Sequence, residues 1–512
     1  MIHLERLPRS VLALGVPLLF FAIALWVMPI ADTLQFDPDE GIELAKATLY
    51  GQGYQLYDPI WNDQPPLLTL LLSGWLKLFG PQIVAARLLV LGFATVLVGS
   101  FFNTLALILG PGFALLGTVG LWLTLDFLRL SVSVMQGLPA LALVMLAIYL
   151  LMRVSFPRES GSAIGSKPRT IAPILWNNLG LIASGICFGL SLQIKLYTAL
   201  LLPACFLHLA AGSSLQDWQQ FKARRLRSGL VWLAACALTV LVIGQLTPSL
   251  PLDQVLGTHF DGASQVSLQR EPSWLLLLMF LAQDLDYTLL AGVGVYLLFK
   301  QRPSWPLLPL VWLASVWMGL AYYQPLWYHY YPLISVPVVW LATYGLTQAF
   351  SFFRQKQWYR NFHWRTLKHP TVKGIAAGFL IFAIALTPVK LAVNAYLNHQ
   401  FVAESKPKLE VIRQVRALPS PTRWLFTDLP IAAFYAGLNV PPELAVFSTK
   451  RIASGSLSDA ELTRILQTYR PEQVLLGRYP KVQAALEPYL SQHYVKRYEK
   501  EKMTRYVLKS LK

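Results

Sequence analysis

Apolar runs long enough to cross a lipid bilayer recur along most of this chain, and they limit what it can fold into. Inside hydrocarbon every backbone N–H and C=O must be satisfied within its own segment, so such runs become helices. They fall at residues 11–31, 84–107, 112–130, 138–153, 174–192, 196–211, 230–246, 287–299, 305–323, 332–350 and 372–393. This predicts a mostly α, polytopic membrane bundle of about eleven transmembrane helices. The eighth run is the most broken: apolar residues 274–282 are followed by Gln283, Asp284 and Asp286, which predicts an interfacial segment and then a span. Composition agrees, with 55% hydrophobic and 13% charged residues, about half the charged share of a soluble domain. The first run follows Arg6 and Arg9 and exceeds the apolar core of a cleaved signal peptide, so it predicts a retained helix.

The formal net charge is +17. In a soluble protein that would suggest nucleic acid, but no nucleic-acid motif is present and the basic residues sit between spans. Arg153, Arg158, Lys167 and Arg169 share one loop, and Lys222, Arg224, Arg225 and Arg227 another. Lys300 and Arg302 form a third group, and Arg354, Lys356, Arg360, Arg365 and Lys368 a fourth. All fall on the side of Arg6 and Arg9. The opposite loops hold most of the acids: Asp32, Asp37, Asp39, Glu40, Glu43, Asp58, Asp63, Asp253, Asp261 and Glu271. The positive-inside rule then predicts a multi-pass inner-membrane protein with a cytoplasmic N-terminus and acidic loops facing the periplasmic side. Cys187, Cys205 and Cys236 all lie in apolar segments without metal-ligand spacing, so no disulfide framework or zinc site is indicated.

Two domains are expected: a transmembrane domain over 1–393, whose first outer loop is 32–83, and a soluble extracytoplasmic α/β domain over 394–512. In the second, residues 423–428, 444–447 and 473–477 read as strands and 430–437, 458–469 and 481–490 as helices. Ser458 and Glu461 have capping-box spacing, and residues 495–499 and 505–509 suit a closing hairpin.

The first outer loop is rich in Asp, Pro and aromatic residues, and residues 42–49 and 67–79 read as helices lying along the membrane surface. Long loops in compact proteins are more often functional than idle. Asp37-Pro38-Asp39-Glu40 suits a helix start: Asp37 as cap, Pro38 as first helical residue, Glu40 as box partner. That leaves Asp39 unexplained. A carboxylate held rigidly just outside a span can act as general base toward an acceptor hydroxyl.

Here the chain resembles the GT-C membrane glycosyltransferases, in particular the protein O-mannosyltransferase family and the bacterial lipid A aminoarabinose and galacturonosyl transferases. The residues that carry the resemblance are Asp39-Glu40, Gln64-Pro65-Pro66-Leu67, Phe79-Gly80, Ala85-Ala86-Arg87, Gly189-Leu190 with Lys195, and His329-Tyr330 before Tyr331-Pro332-Leu333. They span about the first 390 residues. The resemblance implies sugar transfer from a polyprenyl-phosphate donor to a lipid, glycan or protein acceptor, by inverting displacement on the outer face of the membrane. It implies Asp39 and Glu40 as catalytic residues. Negative charge growing on the leaving phosphate needs cations beside it, and Lys195, Arg87 and Arg270 are the candidates. Asp63, Gln64, His329, Tyr330 and His259 are candidate substrate-binding residues. No cofactor follows with certainty; a divalent metal is compatible with the family, and its ligands stay unassigned.

Two departures stand out. The lipid A transferases carry a Lys just before the Pro-Pro pair, where this chain has Gln64. Many relatives also carry a second acid after the third helix, where this chain has Gln136, with Asp126 the alternative. Each remaining residue also has a plainer reading. Lys195 suits a snorkelling lysine, Arg87 an interfacial anchor, His259 and Asp261 a solvated loop, Arg270 and Glu271 a mutual pair. His329 among Tyr328, Tyr330 and Tyr331 suits an aromatic belt, and Asp428 a turn. Two further functions compete with the enzyme: a flippase or transporter for lipid-linked sugars, and a non-catalytic cell-envelope assembly subunit. A transporter would show internal repeats and mid-membrane ion sites; no repeat is evident, and most acids lie in one loop.

Overall fold

The computed structural model describes residues 8–155, 172–211, 223–247, 253–257, 271–301, 307–353, 371–500 and 502–511. The chain is mostly helical. Helix α1 (Arg9–Val27) leads into a long connection carrying α2 (Asp39–Gly51) and α3 (Leu67–Phe79). Then come α4 (Ile83–Leu109), α5 (Pro111–Trp122), the short α6 (Phe127–Val132), α7 (Gly137–Ser155) and α8 (Ala172–Leu192). A 3-10 turn (Leu196–Leu201) opens α9 (Leu202–Ala211), followed by α10 (Ala223–Gly244), α11 (Ser273–Gln283), α12 (Leu285–Gln301) and α13 (Leu308–Leu320). Helices α14 (Pro332–Phe353) and α15 (Val372–Ala417) complete the bundle.

Every expected span falls on helix among the described residues, where about eleven crossings were expected. Among the described residues six helices are long and apolar enough to cross a bilayer. A seventh span results if α11 and α12, bent by 95° at their junction, are taken together. The other apolar stretches of the bundle among the described residues are 10–17 residues long, at 67–79, 111–122, 178–192, 196–210 and 308–320. Residues 112–130, expected as one span, are two helices broken around Thr124 and Asp126. Apolarity persists through a turn, so a hydropathy run cannot register that the helix has ended.

Helix α14 is the buried centre, with Trp340 and Leu341 fully inaccessible. It crosses α12 at a pair of glycines: a Cβ on Gly294 would stand 2.1 Å from the Leu341 carbonyl oxygen, and one on Gly345 2.3 Å from that of Leu290. Membrane helices gain from such close backbone approach because lipid offers no hydrophobic drive to pair them. Leu14, Leu18, Trp26, Leu238, Leu241 and Ile384 remain exposed on the bundle's outside, where hydrocarbon would receive them.

Helix α15 does not stop near residue 393. It runs unbroken over Val372–Ala417, straight through the expected domain boundary. Near its middle, buried Lys390 donates to Asp284 and Asp286 at 2.7 Å each, which ties α15 to the α11–α12 bend. Beyond it lies a mixed four-stranded sheet of β1 (Leu425–Thr427), β2 (Gln473–Leu476), β3 (Tyr494–Lys500) and β4 (Met503–Leu508), ordered β1-β2-β4-β3. β1 and β2 are parallel, and the other pairs antiparallel. Helices α16 (Pro430–Ala436), α17 (Thr449–Ala453), α18 (Asp459–Tyr469) and α19 (Pro480–His493) complete this part.

Residues 444–447 are not the expected strand. A 3-10 turn covers Pro442–Leu444, since Pro441 and Pro442 supply no N–H for a ladder. Ser458 caps α18 by accepting from the Glu461 amide at 3.3 Å, but the Glu461 carboxylate pairs with Arg464 at 2.6 Å rather than closing the box. Helix α2, expected along a surface, is instead covered by protein. Leu44, Ala47 and Leu49 are buried, and Gly41 lies so close to α16 that a Cβ there would meet the Ile431 amide nitrogen at 2.5 Å. The sheet-bearing part thus sits on top of α2.

Candidate active site

The acidic segment after α1 is held from both ends. The Asp37 carboxylate accepts from the Asp39 amide at 3.0 Å, but Pro38 takes the cap position of α2 without a side-chain bond, and Glu40 does not close the expected box with the Asp37 amide. Glu40 accepts from the Phe36 amide at 2.7 Å and from the Val134 amide at 2.9 Å. Its carboxylate also receives Arg87 Nε at 3.2 Å and Nη2 at 2.9 Å. The remaining guanidinium protons go to the carbonyls of Ile30, Thr33 and Leu34, at 2.7, 2.8 and 3.3 Å. Both side chains are 0% exposed.

Arg87 is therefore neither an interfacial anchor nor beside the cavity described below. All five of its donors are engaged by protein, which leaves none for a phosphate. Glu40 likewise lies behind the cavity wall, where it fixes the direction of α2 and with it the neighbouring Asp39.

A cavity of about 270 Å³ opens beside Asp39. Three regions that lie far apart in sequence line it. The α1–α4 connection supplies Asp37, Asp39, Glu43, Lys46, Asp63 and Gln64. The bundle supplies Gln136, Lys195, Tyr323, Tyr328, His329 and Tyr330, and the sheet-bearing part supplies Ser448, Thr449, Lys450 and Arg478. Asp39, Lys195, Asp63, Gln64, His329 and Tyr330 thus come together as the sequence suggested. His259 and Arg270 lie outside the described residues. Asp126 is elsewhere, paired with Arg129 at 2.8 Å.

Lys195 is no snorkelling lysine. It is 9% exposed; its ammonium lies 3.0 Å from His329 Nε2 and over the faces of Tyr197 and Tyr330, each 5.1 Å away. Helix α8 ends just before it, and the Lys195 amide donates back to Ser191 at 3.0 Å, which fixes where the side chain departs. On another wall Lys46 pairs with Glu43 at 2.9 Å and donates to Asn62 at 3.1 Å, while Gln136 donates to Glu43 at 3.1 Å. The carboxylate beside Gln136 thus comes from α2. Gln64 turns its carbonyl inward to accept from Tyr57 and Asn62. Asp63 approaches Lys450 at 3.6 Å.

Burial and close charges set the electrostatics. Burial raises the Asp39 carboxyl above its usual range, against the opposing pull of Arg478 and then Lys195. Burial, then the Asp39 charge, push Asp37 up to about 6. Glu43 is raised by burial, with Lys46 opposing. Lys195 moves the other way, down to about 8, because burial outweighs the attraction of Asp39, Glu43, Asp63 and Asp37. The cavity therefore juxtaposes a carboxylate with no hydrogen-bonded partner among the described residues and a cation that burial has made costly to keep charged. Among the described residues no group of three or more His, Cys, Asp or Glu is placed to hold a metal ion.

Sequence reasoning missed Glu43, Lys46, Lys450 and Arg478. For the first two, i,i+3 spacing on a helix next to Asp39 was a usable signal. For Lys450 and Arg478 no local signal existed, since only folding brings residues 446–478 over the first connection.

Comparison with known proteins gives structural likeness only. No family model matches the chain, and no curated protein matches it in sequence. ArnT from Cupriavidus metallidurans in the apo state matches with a TM-score of 0.63 at 14% identity, over 98% of each chain. The same protein bound to undecaprenyl phosphate gives 0.60, again at 14% identity and over 98% of each chain. Archaeal oligosaccharyltransferase AglB from Archaeoglobus fulgidus, in complex with an inhibitory peptide and a dolichol-phosphate, gives 0.53 at 12% identity, over 97% of this chain and 74% of that one. Identities this low speak for backbone alone: α1–α15 and the terminal sheet follow the fold of ArnT over nearly the whole chain and, at a lower score, that of AglB.

Proposed function

We propose that this protein transfers a sugar from a polyprenyl-phosphate donor to a hydroxyl of a lipid, glycan or protein acceptor, with inversion at the anomeric carbon. The observation that carries this is the cavity at one end of an apolar bundle, where Asp39 faces Lys195. Its ArnT-like fold adds weight, because one ArnT structure holds undecaprenyl phosphate.

Asp39 takes the proton from the acceptor hydroxyl as its oxygen bonds to the anomeric carbon. The bond from that carbon to the lipid phosphate breaks, and its electron pair leaves on the phosphate. Lys195 stands by that developing charge, in a recessed site where a fixed cation acts more strongly than in water. His329 holds the Lys195 ammonium, and the faces of Tyr330 and Tyr328 line the path of the sugar. Glu40 works as a positioning residue through the Arg87 pair. The charge pattern of the sequence, with acids clustered in the first connection and basic residues between other spans, supports an extracytoplasmic opening for the cavity.

The test offers the purified, detergent-solubilised protein a panel of undecaprenyl-phosphate sugars and follows donor consumption. Consumption that disappears in Asp39→Asn with unchanged thermal stability supports the assignment. No consumption of any donor, together with no binding of undecaprenyl phosphate, overturns it.

A further inference from the structure

The geometry points to Arg478, from the sheet-bearing part, as a second ligand for a phosphate-type anion in this cavity, set in place by Asp428; we propose it on the basis of the transfer function above. Three observations carry it.

The first is how the Arg478 loop is built. Asp428 follows β1, and its carboxylate accepts from three successive backbone amides: Gly477 at 2.9 Å, Arg478 at 2.8 Å and Tyr479 at 2.8 Å. Burial raises the Asp428 carboxyl and those three amides oppose it, so its hydrogen-bonding is directed at loop backbone. From the other side the loop presses on the β3–β4 hairpin. A Cβ on Gly477 would stand 2.9 Å from the Lys502 carbonyl oxygen, so glycine is needed there. Pro480 then opens α19 with φ already fixed. A turn clamped on both faces holds its one long side chain over the cavity.

The second is what that side chain lacks. Arg478 Nη1 is buried with no hydrogen-bond partner among the described residues. A buried guanidinium donor left unpaired is costly. Arg87 in the same protein shows all five donors satisfied. Among the described residues Arg478 has no ion pair either, and its guanidinium lies 5.1 Å from the face of adjacent Tyr479.

The third is charge around the cavity. Glu43 has Lys46 at 2.9 Å and Asp63 has Lys450 at 3.6 Å. Arg478 is the strongest cationic influence on Asp39, ahead of Lys195. Two cations of the lining thus come to the Asp39 cavity from different parts of the chain, one from the bundle and one from the terminal part, and among the described residues no carboxylate forms an ion pair with either. A phosphate monoester or diester suits such a pair, and guanidinium matches its oxygens two at a time.

That anion is either the lipid phosphate of the donor or a phosphate on the acceptor. Undecaprenyl phosphate binding, read by thermal shift and by titration of intrinsic tryptophan fluorescence, separates the two in wild type, Arg478→Met and Arg478→Lys. Met keeps the length of the stem, so folding is retained; Lys restores charge without the fork. If Arg478 holds the donor phosphate, Arg478→Met weakens undecaprenyl phosphate binding by roughly ten- to a hundredfold and Arg478→Lys recovers part of it. If it holds an acceptor phosphate, that affinity is unchanged, while the KM for the acceptor rises by a similar factor and the donor KM stays put. Asp428→Asn, which disturbs the clamp without touching ligand, should shift the same parameter, and the double variant with Arg478→Met should be no worse than the worse single one. Unchanged lipid affinity together with unchanged KM for both substrates in Arg478→Met overturns the inference while leaving the transfer function standing. Loss of donor consumption and of lipid binding in wild type itself removes both.

Discussion

Lys195 offers the sharpest test of the site. The residue is 9% exposed, and burial pulls its pKa from 10.5 down to about 8. A depression of that size corresponds to roughly 3 kcal/mol of disfavour toward the charged form, at about 1.4 kcal/mol per unit. A phosphate arriving beside the ammonium reverses that disfavour, because an opposite charge stabilises the protonated state. Donor capture should therefore require protonated Lys195 in the free enzyme. As pH rises through about 8, kcat/KM for the donor and affinity for undecaprenyl phosphate should both fall, approaching tenfold per unit. Lys195→Arg keeps its charge at every accessible pH and should move that alkaline limb out of range while retaining activity. Lys195→Met should lose transfer by roughly 10²- to 10³-fold, the scale for removing one preorganised electrostatic contact. Stability follows the opposite sign. The folded protein binds this proton less tightly than the unfolded chain, so Lys195 opposes folding below pH 8 and this is relieved as pH climbs toward 10.5. Lys195→Met should accordingly be no less heat-stable than wild type at pH 7, its advantage shrinking at pH 10. An alkaline limb still near 8 in Lys195→Arg, or transfer within tenfold of wild type in Lys195→Met, would refute the assignment.

Other outcomes follow from the same geometry. Asp39→Asn should reduce transfer by roughly 10²- to 10⁴-fold, the range for a general base, with the melting temperature and undecaprenyl phosphate affinity nearly unchanged. Arg87→Met should instead destabilise, by about 3–5 kcal/mol, because Glu40 and the carbonyls of Ile30, Thr33 and Leu34 lose their donors; thermal unfolding in detergent measures this, and a wild-type melting temperature would contradict the buried pair. Lys390→Met leaves Asp284 and Asp286 without their shared cation and should lower the melting temperature on a similar scale. Gly41→Val places side-chain atoms where the Ile431 backbone now lies, so limited proteolysis should cut near α16 in the variant and not in wild type.

Much of this was legible in the chain. Hydropathy located helix at every expected span, because a membrane segment satisfies its own backbone groups and needs no partner to declare itself. The α2 and α3 helices and the β3–β4 hairpin followed from local spacing in the same way, while the expected Asp37–Glu40 box did not close because the Glu40 carboxylate is taken by Phe36, Val134 and Arg87. Asp39 stood out because local capping left it without a task. What local pattern could not supply was which charges meet. Arg87 and Lys195 look alike in sequence, each a lone cation at a helix end. Folding gives one five acceptors and the other an open cavity, and that difference is made by carbonyls of residues 30–34 and by His329. The terminal part was read as a separate unit, yet α15 runs through the expected boundary and sets Lys450 and Arg478 opposite Asp39. Backbone satisfaction is a local condition, so sequence alone determined the helices; pairing of charge is a condition on distance between remote segments, so only the tertiary structure decided the site.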